Sequence, residues 1–233
     1  MVIMNILANT LPLGGRTTEE IAQKYDNIFT PAGFTFAIWG VIYLLLFLLL
    51  IYLIKGFFQK RQKTIKVILQ LKGYFLFSSL LNGCWIFAWH YDQIFVSLLL
   101  MIGLLGTLIK IYVSLKELPF YSKFYLTPFS IYLGWVTVAT VANVVIFSVA
   151  MEWGRWGLSE EFWFTLLLLV TLGITAIFVL RKKDIFYGLT ILWSVTGIFV
   201  KRLAAQTGWS YPAYVALGSL IIVIIILFQR IRK

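Results

Sequence analysis

Seven apolar runs, each near the length a helix needs to cross a bilayer, constrain this chain more than any other feature. They fall at 34–54, 74–91, 93–113, 125–150, 162–180, 185–203 and 213–229. A hydrocarbon layer about 30 Å thick takes roughly 20 residues of α-helix. The runs are continuously apolar rather than alternating, which argues against a membrane β-barrel. With 61% hydrophobic and 12% charged residues and a mean hydropathy of +0.92, the chain cannot dress the surface of a soluble domain. The expected fold is all-α, a polytopic membrane bundle of about seven transmembrane helices. The opening MVIMNILANT is too short to span and lacks a basic n-region, so it reads as the stub of a further helix and not as a signal peptide.

Charge then orients the bundle. One end of the runs collects 15 of the 20 Lys and Arg, at Lys55 to Lys72, Lys110, Lys116, Lys123, Arg181 to Lys183 and Arg230 to Lys233, with only Glu117 and Asp184 as acids. The other end holds Arg16, Lys24, Arg155, Lys201 and Arg202 against seven acids. By the bias of Lys and Arg toward the cytoplasm, the C-terminus is cytoplasmic and the 9–33 loop lies on the outer side. The net charge of +11 thus reports topology and gives no reason to expect nucleic acid. Three regions follow: an external loop with its N-terminal stub at 1–33, a set of transmembrane helices at 34–150, and further C-terminal helices at 151–233.

The 9–33 loop is rich in turn residues around TTEEIAQKY, where Thr17 or Thr18 can cap a short amphipathic helix. A structured loop of this length reads as a lid. The basic stretch at 55–72 reads as an interfacial helix connecting two spans. Cys84 excludes an intrachain disulfide and is expected as a small residue in a helix interface.

Three tryptophan motifs sit inside the apolar runs: FTPAGFTFAIWGVIY at 29–43, LLNGCWIFAW at 80–89 and IYLGWVTVATVAN at 131–143. Helical spacing puts Phe36, Trp39 and Tyr43 on one face, Ser78, Asn82, Trp85 and Trp89 on another, and Tyr132, Trp135, Ala139, Ala142 and Asn143 on a third. Lipid does not ask for amides and small residues, so these faces point inward. At 1.5 Å per residue, Trp39, Asn82, Trp85 and Asn143 fall in the outer half of the bilayer and Trp135 near its middle. Faces at matching depth can enclose one cavity, with Ala139 and Ala142 leaving room opposite the large rings. Trp153, Trp156, Trp163 and Trp209 lie at helix ends and read as interfacial belt residues.

These motifs resemble those of the TspO/translocator protein family, the tryptophan-rich sensory proteins. TPAGFTFAIWGVIY is similar to the family's TPPGWVFGPVWTxLY, LNGCWIFAW to LNxxWSxxFF, and YLGWVTVATVAN to PYLxWVxFAxxLN. The resemblance covers roughly residues 10–150. It implies a five-helix core lacking its first helix, followed here by three more helices. It also implies a pocket for a flat hydrophobic ligand, a tetrapyrrole such as a porphyrin or haem, or a sterol-like molecule, held for sensing, sequestration or transport. Phe36, Trp39, Tyr43, Asn82, Trp85, Trp89, Tyr132, Trp135, Ala139, Ala142 and Asn143 are the ligand-binding candidates. Ile131 and Ala32 stand where the family carries prolines. In this reading the two asparagines bond the ligand's polar edge or each other, and Arg16 or Lys24 meets carboxylates on it. The expected partners are the lipid bilayer, the hydrophobic small molecule and a second copy of the chain.

Two other readings stay open: a structural or partner-binding membrane protein, and a facilitative transporter of small lipophiles. The sixth run carries its own stripe, Tyr187, Thr190, Ser194, Gly197 and Lys201, which either packs against the bundle or lines the pocket. No Asp or Glu lies within a span, which removes the usual carboxylate relay of ion-coupled transport. The last run has no Lys for a retinal Schiff base between Ala213 and Phe228. His90 lacks metal-ligand neighbours at the spacings zinc uses, and no hydrolase or nucleotide motif is present, so no catalytic or metal site is expected.

Overall fold

The computed structural model describes residues 15–120, 123–204 and 210–232. The N-terminal stub, Asn9, Pro12, Gly14 and Trp209 therefore lie outside the described residues. All regular structure among the described residues is helical. A short α1 (Thr18–Lys24) precedes seven long helices: α2 (Ile38–Phe58), α3 (Gln62–His90), α4 (Ile94–Lys116), α5 (Lys123–Ala150), α6 (Glu160–Ala176), α7 (Ile185–Ala204) and α8 (Tyr211–Ile231). A 3₁₀ segment, Gly33–Ala37, leads into α2, and a π-helical turn, Ile177–Arg181, closes α6.

Five of the long helices are long and apolar enough to cross a membrane, and α3 makes a sixth if its two parts, bent by 49°, count as one span. α7 falls short of the expected seven on apolarity alone. Its polar residues need no lipid tolerance because Tyr187, Thr190 and Ser194 are buried inside the protein. Many other hydroxyls avoid the apolar cost by bonding to the carbonyl four residues back in their own helix, as Thr140 does to Val136 and Thr175 to Thr171.

Neighbours in sequence pack as antiparallel neighbours in space: α3 on α4, α4 on α5, and α7 on α8, with α6 resting on α8. α5 is the shared wall, packing against α2 and α4 on one side and α7 on the other. The seam between α5 and α7 is close. Gly134 faces Thr190, whose Cβ would lie 2.9 Å from any Cβ added there. Tyr187 donates to Thr137 Oγ1 at 3.1 Å, and Ser130 donates to the buried Asp184 carboxylate at 2.6 Å. Asp184 also accepts from the Tyr187 backbone N–H, so it caps the start of α7. The stripe on the sixth run is therefore a packing surface against α5 and the lid.

Two local expectations are corrected. The 55–72 stretch, expected as one interfacial helix, is divided: α2 runs to Phe58, and Gln62–Leu71 forms a first part of α3 bent by 49° from the rest. Gly56 makes that tight hairpin fit, since its bare Cα lies against the Thr64 side chain. Cys84 is exposed on α3, not held in a helix interface, because the neighbouring Trp85 and Ile86 take the inward positions.

Candidate functional site

The segment expected to act as a lid is folded as its turn residues suggest. Thr17 caps α1 in a reciprocal capping box with Glu20, and the hydrogen bond from the Thr17 backbone N–H, helped by the Thr17 hydroxyl, holds the Glu20 carboxyl below its usual range. Asn27, buried, folds the next turn by accepting from the backbone N–H groups of Phe29 and Thr30 at 3.0 and 2.8 Å. The lid is then tied down on every side. Lys24 and the Tyr25 hydroxyl both reach Asp92 in the α3–α4 turn. Ile28 N–H donates to Glu160 at 2.9 Å, Ala32 N–H to the Gly197 carbonyl at 3.0 Å, and the indole of Trp193 to the Thr35 carbonyl at 3.0 Å. Gly197 allows that last approach, because an added Cβ would collide with Thr35. Lys24 is thus spent on the lid itself and does not face the tryptophan motifs.

Beneath the lid the three tryptophan faces meet. Trp39 sits at the centre, stacked on Tyr43 with ring centroids 5.6 Å apart and planes within 12°. It lies 5.6 Å from Trp85, and edge-on to Tyr132 and Trp135 at 5.9 and 6.0 Å. Phe36 meets Trp135 edge-on at 5.8 Å, and Trp85 stacks on Trp89 at 5.8 Å. Ring pairs in these geometries contribute about 0.5–1.5 kcal/mol each beyond area burial. The Trp89 indole donates to the Thr18 carbonyl at 3.1 Å, coupling the cluster to α1.

A cavity of about 30 Å³ remains among these rings. Phe36, Trp39, Trp85, Trp89, Trp135, Ala139, Ala142 and Asn143 line it, together with Thr18, Ala22, Thr30 and Pro31 of the lid segment. Such a volume suits a water, whereas ligand pockets run to about 300–1,000 Å³. The roomy cavity expected from the sequence is therefore closed. Tyr43, Asn82 and Tyr132 are buried beside it without lining it.

The two asparagines are not bonded to one another in this arrangement. Asn82 accepts from the Tyr43 hydroxyl at 3.1 Å, while Asn143 accepts from Ser97 on α4 at 2.8 Å and donates to the Ala139 carbonyl. Asn143 is thereby committed to holding α4 and α5 together. What stands out is the remaining donors. The indole N–H groups of Trp39, Trp85 and Trp135 and the amide nitrogen of Asn82 are buried and have no hydrogen-bond partner. A buried donor left unmade costs about 1–3 kcal/mol, and four in one cluster is a concentrated demand for acceptor atoms.

A family model described as TSPO-like protein matches residues 1–229. The chain belongs to the TSPO-like family. The match to this TSPO-like pattern continues well past residue 150, where the resemblance of the motifs ends, and takes in α6, α7 and most of α8. With its apolar helices, this TSPO-like chain is an integral, multipass membrane protein in contact with the lipid bilayer. No curated protein and no solved structure gives a match.

Sequence reasoning missed Trp193, Phe34 and Glu160 as parts of the lid's seat. Phe34 meets Trp193 edge-on at 5.4 Å. The signal for Trp193 was present, since it lies on the sixth run one residue before the buried Ser194, yet no motif marks it.

Proposed function

We propose that the chain binds a flat hydrophobic ligand, a tetrapyrrole or sterol-like molecule, in the aromatic cluster when the lid lifts, and serves in its sensing, sequestration or transport. One observation carries this reading: three indole N–H groups and one amide N–H, all buried, converge on an aromatic cluster without acceptors. A ligand with a planar apolar body and carbonyl or carboxylate oxygens at its edge supplies both the stacking surface and the missing acceptors. Trp39, Trp85 and Trp135 stack on or enclose the ring system, and Asn82 turns its free amide toward the polar edge. For haem, the residues suit the porphyrin and not its iron, because the described residues lining the cavity include no His, Cys or Met. The distribution of Lys and Arg supports a cytoplasmic C-terminus with the lid on the outer side.

The test is a titration of the detergent-solubilised protein with protoporphyrin, following tryptophan fluorescence. Saturable quenching is expected, and Trp39→Phe combined with Trp135→Phe should weaken the affinity at least about tenfold by removing two donors. Quenching that never saturates, or an affinity untouched by the double substitution, sinks the reading. A second reading, a purely structural cluster, has its own support in the filled cavity of about 30 Å³. It requires that double variant to lose stability without any change in ligand binding. Flux of labelled ligand in liposomes separates carriage across the bilayer from simple binding.

A further inference from the structure

A second and larger concavity lies outside the aromatic cluster, where the lid ends of α5 and α6 diverge. Its volume is about 910 Å³. Leu98 forms part of its floor, Val145 and Phe147 line it from α5, and Phe164 and Leu167 line it from α6. The exposed side chains of Val144 and Met151 stand at its mouth. Its lining shares no residue with the cavity of the aromatic cluster, and on its lid side the buried Phe29 meets the buried Phe164 edge-on at 6.2 Å. The groove is thus a site of its own.

The charged groups of the lining come from the 152–160 stretch that joins α5 to α6. Glu152, Arg155 and Glu160 line the groove there, and Arg155 and Glu160 face each other at 3.6 Å with side chains 41% and 32% exposed. Trp153, Trp156 and Trp163 cluster beside them, with ring centroids 5.0–5.6 Å apart. Trp156 is 78% exposed. The intervening backbone is bent sharply to produce this arrangement, since Glu152, Arg155 and Trp156 all have positive φ, near 50°. Residues with a Cβ seldom adopt that conformation.

An apolar trough with one polar, aromatic end has the chemistry of a lipid site, and its charges select among lipids. Two carboxylates and one guanidinium complement a headgroup carrying both signs: phosphate on Arg155, and an ammonium on Glu152 and the electron-rich indole faces. A purely anionic headgroup would meet a net negative end. The bundle as a whole makes the same distinction, because the lid end has seven acids against five bases while the opposite end is strongly basic. We propose that the α5–α6 groove binds one zwitterionic phospholipid, with an acyl chain along Leu98, Val145, Phe147, Phe164 and Leu167 and the headgroup on Arg155, Glu152 and the tryptophan cluster.

Native mass spectrometry of the full chain, released from detergent after addition of dioleoylphosphatidylcholine and dioleoylphosphatidylglycerol in equal amounts, tests this. One phosphatidylcholine per chain is expected to be retained, favoured about tenfold over phosphatidylglycerol. Leu167→Trp, which fills the trough, should abolish the adduct, and Glu152→Gln, which removes the ammonium's carboxylate and the net negative charge of that end, should erase most of the preference while leaving the thermal midpoint unchanged. If Leu167→Trp does not accumulate as folded protein, the Glu152→Gln selectivity decides alone. Equal retention of the two lipids, an adduct that survives a folded Leu167→Trp, a preference unchanged in Glu152→Gln, or a mass of two chains without lipid overturns the proposal. The last outcome would make the groove a contact between copies.

Discussion

α5 presents two opposed faces, and they are finished differently. Toward α7 it offers Ser130, Gly134 and Thr137, at i, i+4 and i+7, and both hydroxyls have partners: Ser130 with Asp184, and Thr137 with its own helix and Tyr187. Toward α2, α3 and the lid it offers Tyr132, Trp135 and Ala139, among which the Trp135 indole has no partner. The first face is a completed joint, close-packed and satisfied. The second is tightly packed but chemically incomplete. A protein that only needed both faces for cohesion has no reason to leave donors unpaired in one of them, since apolar residues of similar volume would hold it at lower cost.

The largest effects are expected on the completed side. Gly134→Val drives a branched side chain into Thr190 and the Tyr187 carbonyl, neither of which has room to move. A loss of about 3 kcal/mol follows from overpacking of that kind, read as a fall in the thermal unfolding midpoint in detergent. Asp184→Ala strands the Ser130 hydroxyl and removes the cap of α7, for about 2 kcal/mol by the same assay. If either substitution is tolerated without loss, the contrast between the faces is wrong.

A matched pair then sharpens the contrast. Tyr187→Phe removes a made hydrogen bond and should cost about 1 kcal/mol of stability with no effect on protoporphyrin affinity. Trp39→Phe removes an unmade one, so stability should fall by less than the lost ring area alone implies, while affinity should weaken about fivefold. Equal behaviour of the two variants in both assays would merge the faces into one structural class.

How much of this was readable beforehand follows from the range of the interactions. The long helices announce themselves because a bilayer-spanning helix needs a run of apolar residues that is visible locally. The tryptophan faces were likewise legible, since i, i+3 and i+7 spacing is a property of one helix. The capping box at Thr17 and Glu20 spans three residues and could be anticipated for the same reason. The lid's seat could not, because Lys24 with Asp92 and Ile28 with Glu160 join positions 68 and 132 apart. Nor could the closure of the cavity, which depends on how far Thr18 and Pro31 settle onto Trp85 and Trp135. The α5–α6 groove was hidden for a third reason: a tryptophan at a helix end has the same sequence signature whether it anchors at the interface or borders a trough.

The smallest expected effect concerns the boundary between the faces and the outside, the lid. Its ion pair between Lys24 and Asp92 is more than a third exposed on both sides, so screening by solvent leaves it little weight. Lys24→Met should shift stability by no more than about 0.5 kcal/mol. The other ties, from Trp89, Glu160, Gly197 and Trp193, hold α1 and the 3₁₀ segment in place. The variant nevertheless removes one restraint that must break before the aromatic cluster can open toward the lid. Stopped-flow mixing with protoporphyrin should therefore show association faster by about twofold, the kinetic counterpart of that small free energy, with the final quench unchanged. An unchanged rate would mean that this edge of the lid stays shut during entry, and that the path to the unpaired indoles runs past Phe29 and Phe164 instead.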